Sequence, residues 1–260
     1  MSDTDLLYEI RDGVGWIVLN RPEVRNALTF AMYERIAEIC GTLPTDGSVK
    51  CLVLIGAGDK AFAAGTDMAQ FRGFSCDQDA LDYEQKMDEV MGAVEACPVP
   101  TIAAISRACT GGGAAIAAAC DIRVATADLK FGIPIARTLG NCLSIANLSR
   151  LTELMGAGRV KEILLTARLV GAGEAQAIGL ISEIVDDHAA LVQRASELAE
   201  TLITHAPITM RTTKEALRRL RTEGAKADDR DLIVAAYMSE DFKEGMEAFL
   251  GKRKPEWTGR

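Results

Sequence analysis

Three strand-length runs with little or no polar interruption, Cys51–Ile55, Thr101–Ser106 and Ile122–Ala125, constrain this chain more than any other feature. A strand with one wet face alternates apolar and polar residues. Runs without that alternation are covered on both faces. The segments between them carry helical signals. Thr29 caps a helix with Met32, Ile36 and Ile39 on one side, and Asp79 to Ala96 repeats apolar residues at Leu81, Met87, Val90, Met91 and Val94 before Pro98 and Pro100 stop it. Strands alternating with helices predict an α/β core with parallel pairing. Leu6–Ile10 and Val14–Leu19, joined by Asp12-Gly13, read instead as a hairpin.

Beyond about Leu148 the pattern turns helical, with helices expected over Arg159–Leu165 and Glu174–Ile178 and a short strand over Ile181–Val185. After Ala190 the spans Ala190–Ile203, Ile208–Arg221, Asp228–Met238 and Asp241–Leu250 all read as helix. The 260 residues therefore divide into a core, 1–195, and a helical appendage, 196–260.

A net charge of -8 argues against a nucleic-acid or anionic-membrane surface, so an anionic ligand would need a local basic patch. The seven cysteines are scattered without a CxxC pair, which suggests neither a disulfide framework nor a zinc ribbon, and a reduced cytoplasmic setting is expected. Met1-Ser2-Asp3-Thr4-Asp5 lacks the basic and apolar regions of a signal peptide, and the apolar stretch Ala114 to Cys120 is too short to span a bilayer.

Two segments carry chemistry. Phe62-Ala63-Ala64-Gly65-Thr66-Asp67 is a loop of small residues after a strand, open to close approach by a ligand. Thr110-Gly111-Gly112-Gly113-Ala114-Ala115 follows another strand and opens a helix, where free N–H groups meet the positive end of the helix dipole. Two such donors on one oxygen would form an oxyanion hole, while each segment alone could equally be a structural turn. Gly56-Ala57-Gly58 is not a dinucleotide fingerprint, because Ala61 stands where its third glycine belongs.

Asn20-Arg21-Pro22-Glu23-Val24-Arg25-Asn26-Ala27-Leu28, Gly56 to Asp67, Gly111-Gly112-Gly113 through Cys120-Asp121, and Glu244-Gly245-Met246-Glu247-Ala248-Phe249-Leu250 through Lys252-Arg253-Lys254-Pro255 together resemble four motifs of the enoyl-CoA hydratase/isomerase (crotonase) superfamily, in order and across almost the whole chain. The resemblance implies a spiral of ββα turns with a C-terminal helical trimerisation region, assembled as a homotrimer or hexamer. It implies an acyl-CoA thioester as ligand, with coenzyme A arriving as part of the substrate and no permanently bound cofactor. By motif position the N–H groups of Ala64 and Gly112 would bind the thioester oxygen. Arg25, Ala27, Ala64, Asp67 and Met68 would lie along the CoA, and Phe249 and Lys252 would reach a CoA of a neighbouring subunit.

The chain departs from the hydratase pattern the resemblance implies. The two positions where that pattern has glutamates hold Ala115 and, after Phe131-Gly132-Ile133-Pro134, Ile135. Neither can transfer a proton. The following segment is polar, so Arg137 is a candidate for a substrate carboxylate, and Thr138, Asn141 or Ser144 for orienting it or a water. Among the carboxylates of the 75–90 helix, Asp77, Asp79, Glu84 and Asp88 are all within reach of such a pocket on sequence grounds. Cys142 has no nearby His to activate it, His188 and His205 look remote, and Asp67 and Asp121 read as architectural. The expected function is stabilisation of a thioester enolate in isomerase-, lyase- or decarboxylase-type chemistry. The rivals are hydration with non-standard acid–base groups and a silent acyl-CoA-binding subunit.

Overall fold

The unbroken apolar runs build the centre of a six-stranded sheet. The computed structural model describes residues 4–260; the reading of Met1 to Asp3 lies outside the described residues. The strands are β1 (Leu6–Arg11), β2 (Val14–Leu19), β3 (Cys51–Gly56), β4 (Ala61–Ala63), β5 (Thr101–Ile105), β6 (Ala108–Thr110), β7 (Ile122–Thr126), β8 (Lys130–Gly132) and β9 (Glu183–Val185). The large sheet has the order β1-β2-β3-β5-β7-β9, antiparallel between β1 and β2 and parallel elsewhere. The short strands β4, β6 and β8 form a second, parallel sheet. The turns that begin at β3, β5 and β7 each lay one strand in the large sheet and the next, β4, β6 or β8, in the small one before helix returns the chain, which is a spiral of ββα turns.

Two-faced burial explains the continuous runs. On β3, Leu52 and Leu54 join the main core, while Cys51, Val53 and Ile55 join a second core on the opposite face. The main core is filled from α1 (Phe30–Gly41), α2 (Asp77–Glu95) and α3 (Gly112–Ala119). Its small residues let α3 lie close, and Gly113 has no room for a Cβ, which would come 2.7 Å from Ala63. The second core is closed by α8 (His188–Leu202) through Leu191, Ala195 and Ala199. The division expected at residue 195 therefore falls inside this packed helix.

Helix signals were mostly placed well. Thr29 accepts from the Met32 amide at 3.3 Å, and Met32, Ile36 and Ile39 are buried. On α2, Met87, Val90, Met91 and Val94 are buried, but Leu81 is 63% exposed. The first turns of α2 project beyond the core, so Leu81 follows the period without finding a partner. The helix also begins earlier than Asp79, because the Asp79 carboxylate accepts from the Ser75 and Cys76 amides and fixes its start.

The sequence reading lacked α4 (Ile135–Thr138); the helical pattern expected from about Leu148 is α5 (Ile145–Met155), which begins three residues earlier and is followed by α6 (Ala157–Thr166) and α7 (Ala172–Ala177). The C-terminal part is α9 (Pro207–Glu223), α10 (Arg230–Tyr237) and α11 (Glu240–Leu250). Among the described residues no helix is long and apolar enough to cross a membrane. The closing tail is pinned to α11, where the buried Asp241 accepts from the amides of Thr258 and Gly259 at 2.7 and 3.0 Å.

Candidate active site

The small sheet positions the site. Just past β4 the chain runs beside Leu28, whose amide donates to the Gly65 carbonyl and whose carbonyl accepts from the Asp67 amide, both at 2.8 Å. In a parallel bridge the residue between two such bonds turns its own N–H to the other side. That residue is Thr66. The Ala64 amide is already committed, donating to the Arg25 carbonyl at 3.0 Å. The expectation that Ala64 supplies an oxyanion-hole donor is therefore corrected. The left-handed turn that places Arg25 at φ 55° brings its carbonyl onto Ala64 and consumes the N–H. Thr66 carries the amide that faces the opposite wall.

That wall is the start of α3. Gly111 adopts φ 55°, ψ -122°, and its amide donates to the Gly132 carbonyl of β8 at 3.0 Å. Gly112 opens the helix, so its N–H belongs to the first turn that has no intrahelical acceptor. The two segments touch. A Cβ on Gly111 would lie 3.3 Å from the Cα of Gly65, and one on Gly112 would lie 3.2 Å from Thr66 Oγ1 and 1.7 Å from the Tyr33 hydroxyl. Glycine at 112 is thus a steric requirement.

Both segments line one cavity of about 290 Å³, whose other walls include Met68, Phe71, Tyr83, Glu84, Ala115, Ile135, Thr138, Asn141, Cys142 and Asn147. Ala115 and Ile135 do face the cavity, at the two positions where no proton can be exchanged. Of the four carboxylates on α2 that sequence left open, the geometry selects Glu84. Asp79 is used in the cap, Asp77 does not line the cavity, and Asp88 accepts from Ser144 Oγ at 2.5 Å and Asn147 Nδ2 at 3.5 Å. Burial pushes the Glu84 carboxyl above the usual carboxylate range, and the like charge of Asp88 one helical turn away adds to the shift. The result is a carboxylate suited to proton exchange.

Arg137 is corrected. Its side chain is exposed on α4 and does not line the cavity, because the short helix turns it outward while Ile135 and Thr138 point in. Asn141 and Cys142 reach the cavity mouth. His188 instead binds Ser106 Oγ through Nδ1 at 2.8 Å, and His205 lies beside the C-terminal tail near Trp257.

Asp67 caps the next turn by accepting from the Ala69 amide and receives Arg21 at 3.0 Å, contacts that hold its carboxyl low in pKa. Asp121 accepts from the Thr101 amide and hydroxyl and pairs with Lys214. Both are architectural, as expected of them; Asp67 was also a CoA candidate, and Arg21 occupies its carboxylate. Arg25 is exposed, the Ala27 carbonyl accepts from Arg21 at 2.8 Å, and Met68 is 50% exposed at the cavity. Phe249 is 82% exposed, and neither it nor Lys252 lines the cavity of its own chain.

Sequence reading quoted Thr66 only as part of its loop and missed the two tyrosines whose hydroxyls it joins. Tyr33, Thr66 and Tyr83 bring their hydroxyls together behind the oxyanion segments, with Oη–Oγ1 separations of 2.9 and 3.4 Å. Tyr33 on the buried face of α1 and a hydroxyl in a loop otherwise made of small residues were the available signals.

The similarities to known proteins agree with this geometry. A family model described as enoyl-CoA hydratase/isomerase matches residues 9–260. A short-chain-enoyl-CoA hydratase of Clostridium acetobutylicum is 30% identical over 98% of both chains, and a crotonyl-CoA hydratase of Syntrophomonas wolfei is 31% identical over the full length of both. A crystal structure of an enoyl-CoA hydratase/carnithine racemase from Magnetospirillum magneticum superposes with a TM-score of 0.89 at 32% identity, covering 100% of this chain and 97% of the other. With its fold, its paired small-residue segments and these matches in agreement, the chain belongs to the enoyl-CoA hydratase/isomerase family.

Proposed function

We propose that the protein moves a proton on the acyl group of a CoA thioester, using Glu84 as the base and the Thr66 and Gly112 amides as donors to the developing enolate oxygen. One observation carries this reading: Glu84 is the carboxylate that reaches the cavity shared by the two segments, and its pKa is raised. For a 3-enoyl thioester, the Glu84 carboxylate removes an α-proton and the electron pair passes to the thioester oxygen. Glu84, once its proton has exchanged with solvent, protonates the γ-carbon to give the conjugated 2-enoyl thioester. One mobile base suffices, which suits a cavity with Ala115 and Ile135 on its walls. Decarboxylation loses support with Arg137 outside the cavity. Hydration is the second reading, favoured by the hydratase names of the relatives; Glu84 would then activate water.

CoA itself would run past Arg25, Ala27 and Met68, with Phe249 and Lys252 supplied by a neighbouring subunit of a homotrimer or hexamer. The exposure of Phe249, Leu250, Met238 and Tyr237 supports such an assembly. The test offers 3-enoyl-, crotonyl- and methylmalonyl-CoA in deuterated water and follows each by mass spectrometry. Deuterium-labelled 2-enoyl product, lost in Glu84→Gln, is expected. Crotonyl-CoA hydration that survives Glu84→Gln would overturn the base assignment, and binding without any product would leave a silent acyl-CoA subunit.

A further inference from the structure

Helix α3 connects the site to a buried charge that takes no part in the proton transfer. Its eight residues, Gly112–Ala119, span about 12 Å. All are glycine, alanine or isoleucine, and Gly113 through Ala119 are buried, so the helix carries no charged side chain of its own and its length is dry. At its far end lies Arg123, 8% exposed. The guanidinium donates to the carbonyls of Ala117 at 3.2 Å, Cys120 at 2.5 Å, Leu180 at 2.6 Å and Asp121 at 3.4 Å. Among the described residues it meets carbonyls only, so its charge is bound by dipoles and not cancelled by a paired carboxylate.

The neighbouring carboxylate, Asp121, is taken up by Lys214 and by the amide and hydroxyl of Thr101. Cys120, at the end of α3, feels all three charges: burial pushes its thiol up to about 12, Asp121 adds to the rise, and Arg123 and Lys214 oppose it. Two cations and one anion thus close this end of the helix, a net positive charge.

We propose that Arg123 is a positioning residue for the reaction: its charge, acting through α3, raises the potential at the Gly112 amide and so favours negative charge on the oxygen held there. This rests on the reading of Gly112 as an enolate donor. A helix is positive at its N-terminus and negative at its C-terminus. Arg123 neutralises the negative end, which leaves the positive end opposed by less. A unit charge about 12 Å away, at an effective dielectric constant of about 20, moves an ionisation at the near end by about one pH unit. A group serving only to cap the helix would add stability without a signed effect on ionisation.

The test binds acetoacetyl-CoA, whose α-carbon gives its proton to buffer and leaves an enolate with its own ultraviolet absorbance. The pH midpoint of the bound ligand is read in Glu84→Gln protein, so the outcome does not depend on the base. Adding Arg123→Gln is expected to raise the midpoint by about one unit, while Arg123→Lys, which keeps the charge, holds it close to its starting value. Asp121→Asn removes the opposing charge and should lower the midpoint even as it costs stability, whereas a loosened helix would raise it. A midpoint unmoved by Arg123→Gln, or raised by Asp121→Asn, overturns the proposal; if Arg123→Gln fails to fold, Asp121→Asn decides alone. A midpoint no lower than that of free acetoacetyl-CoA before either change would fault the Gly112 donor itself and take the proposal with it.

Discussion

Gly112→Ala tests the packing beneath the site most directly. An added Cβ would lie 1.7 Å from the Tyr33 hydroxyl and 2.9 Å from the ring carbon that bears it. Tyr33 is fully buried, so its ring has no solvent to retreat into. Forcing a methyl into such a packed site costs about 1–3 kcal/mol. A chain of this size loses about 2–4 °C of melting temperature per kcal/mol, so a drop of about 2–12 °C is expected, toward the upper end given the 1.7 Å overlap. Turnover should suffer more than stability. Relief requires moving Tyr33, and with it Thr66, whose amide is the proposed partner of Gly112. Losing one oxyanion donor costs about 10²–10³ in rate. Adding Tyr33→Phe deletes the atom at 1.7 Å but leaves the carbon at 2.9 Å, so it should restore part of the melting temperature. Differential scanning calorimetry and a turnover assay read both effects. A Gly112→Ala protein with wild-type melting and wild-type turnover would refute the steric reasoning and, with it, the contact between the two segments.

Glu84→Gln should lower turnover by about 10²–10⁴-fold, since an amide cannot exchange a proton, with thioester binding by calorimetry as the control. In the pH–rate profile, activity should rise with pH as Glu84 ionises, at a midpoint above that of an ordinary Glu; Asp88→Asn removes the like charge and should move that limb to lower pH. The same raised pKa means that the stability contributed by protonated Glu84 is present at acid pH and is lost as pH climbs through its folded value, so Glu84→Gln should flatten that part of the stability curve. Glu95 on α2 binds both Arg150 of α5 and Arg221 of α9, whose side chains are each only 7% exposed. Glu95→Gln should cost about 3–5 kcal/mol in urea unfolding, because it leaves buried charge uncompensated, whereas Glu34→Gln at the exposed pair with Lys86 should cost less than about 1 kcal/mol. Arg137→Ala should leave turnover within about twofold of wild type.

The large sheet was legible because burial on both faces erases alternation, and Cys51–Ile55 could hardly be anything else. The small sheet was not. β4, β6 and β8 have three residues each, too few to show a period, and they exist because the preceding strands of the large sheet deliver them side by side. That limit also cost the donor assignment. Which amide of Ala64-Gly65-Thr66 faces the ligand depends on the Leu28 bridge and the Arg25 carbonyl, both some forty residues earlier in the chain. Glu84 could be placed only among four carboxylates, since the phase of a helix relative to a cavity is set by what the other residues pack against. Arg137 failed for a related reason: a single helical turn, α4, reversed the direction that a loop reading gave it.

The spiral has a consequence for how the chain can tolerate insertions and deletions. The turns holding β3 and β4, β5 and β6, and β7 and β8 are each locked twice, once in each sheet, so the path between β4 and β5 can change length without disturbing either register; α2 and the exposed turn before it lie on that path. The step from β3 to β4 has no such slack. A Cβ on Gly56 would come 2.2 Å from the Ala61 carbonyl and 2.7 Å from Asn26 Nδ2, while Asn26 already spans the Ala57 and Ala61 carbonyls. One residue gained or lost there would shift Thr66 against Gly112, whereas the outer helices can be lengthened, shortened or exchanged around a fixed centre.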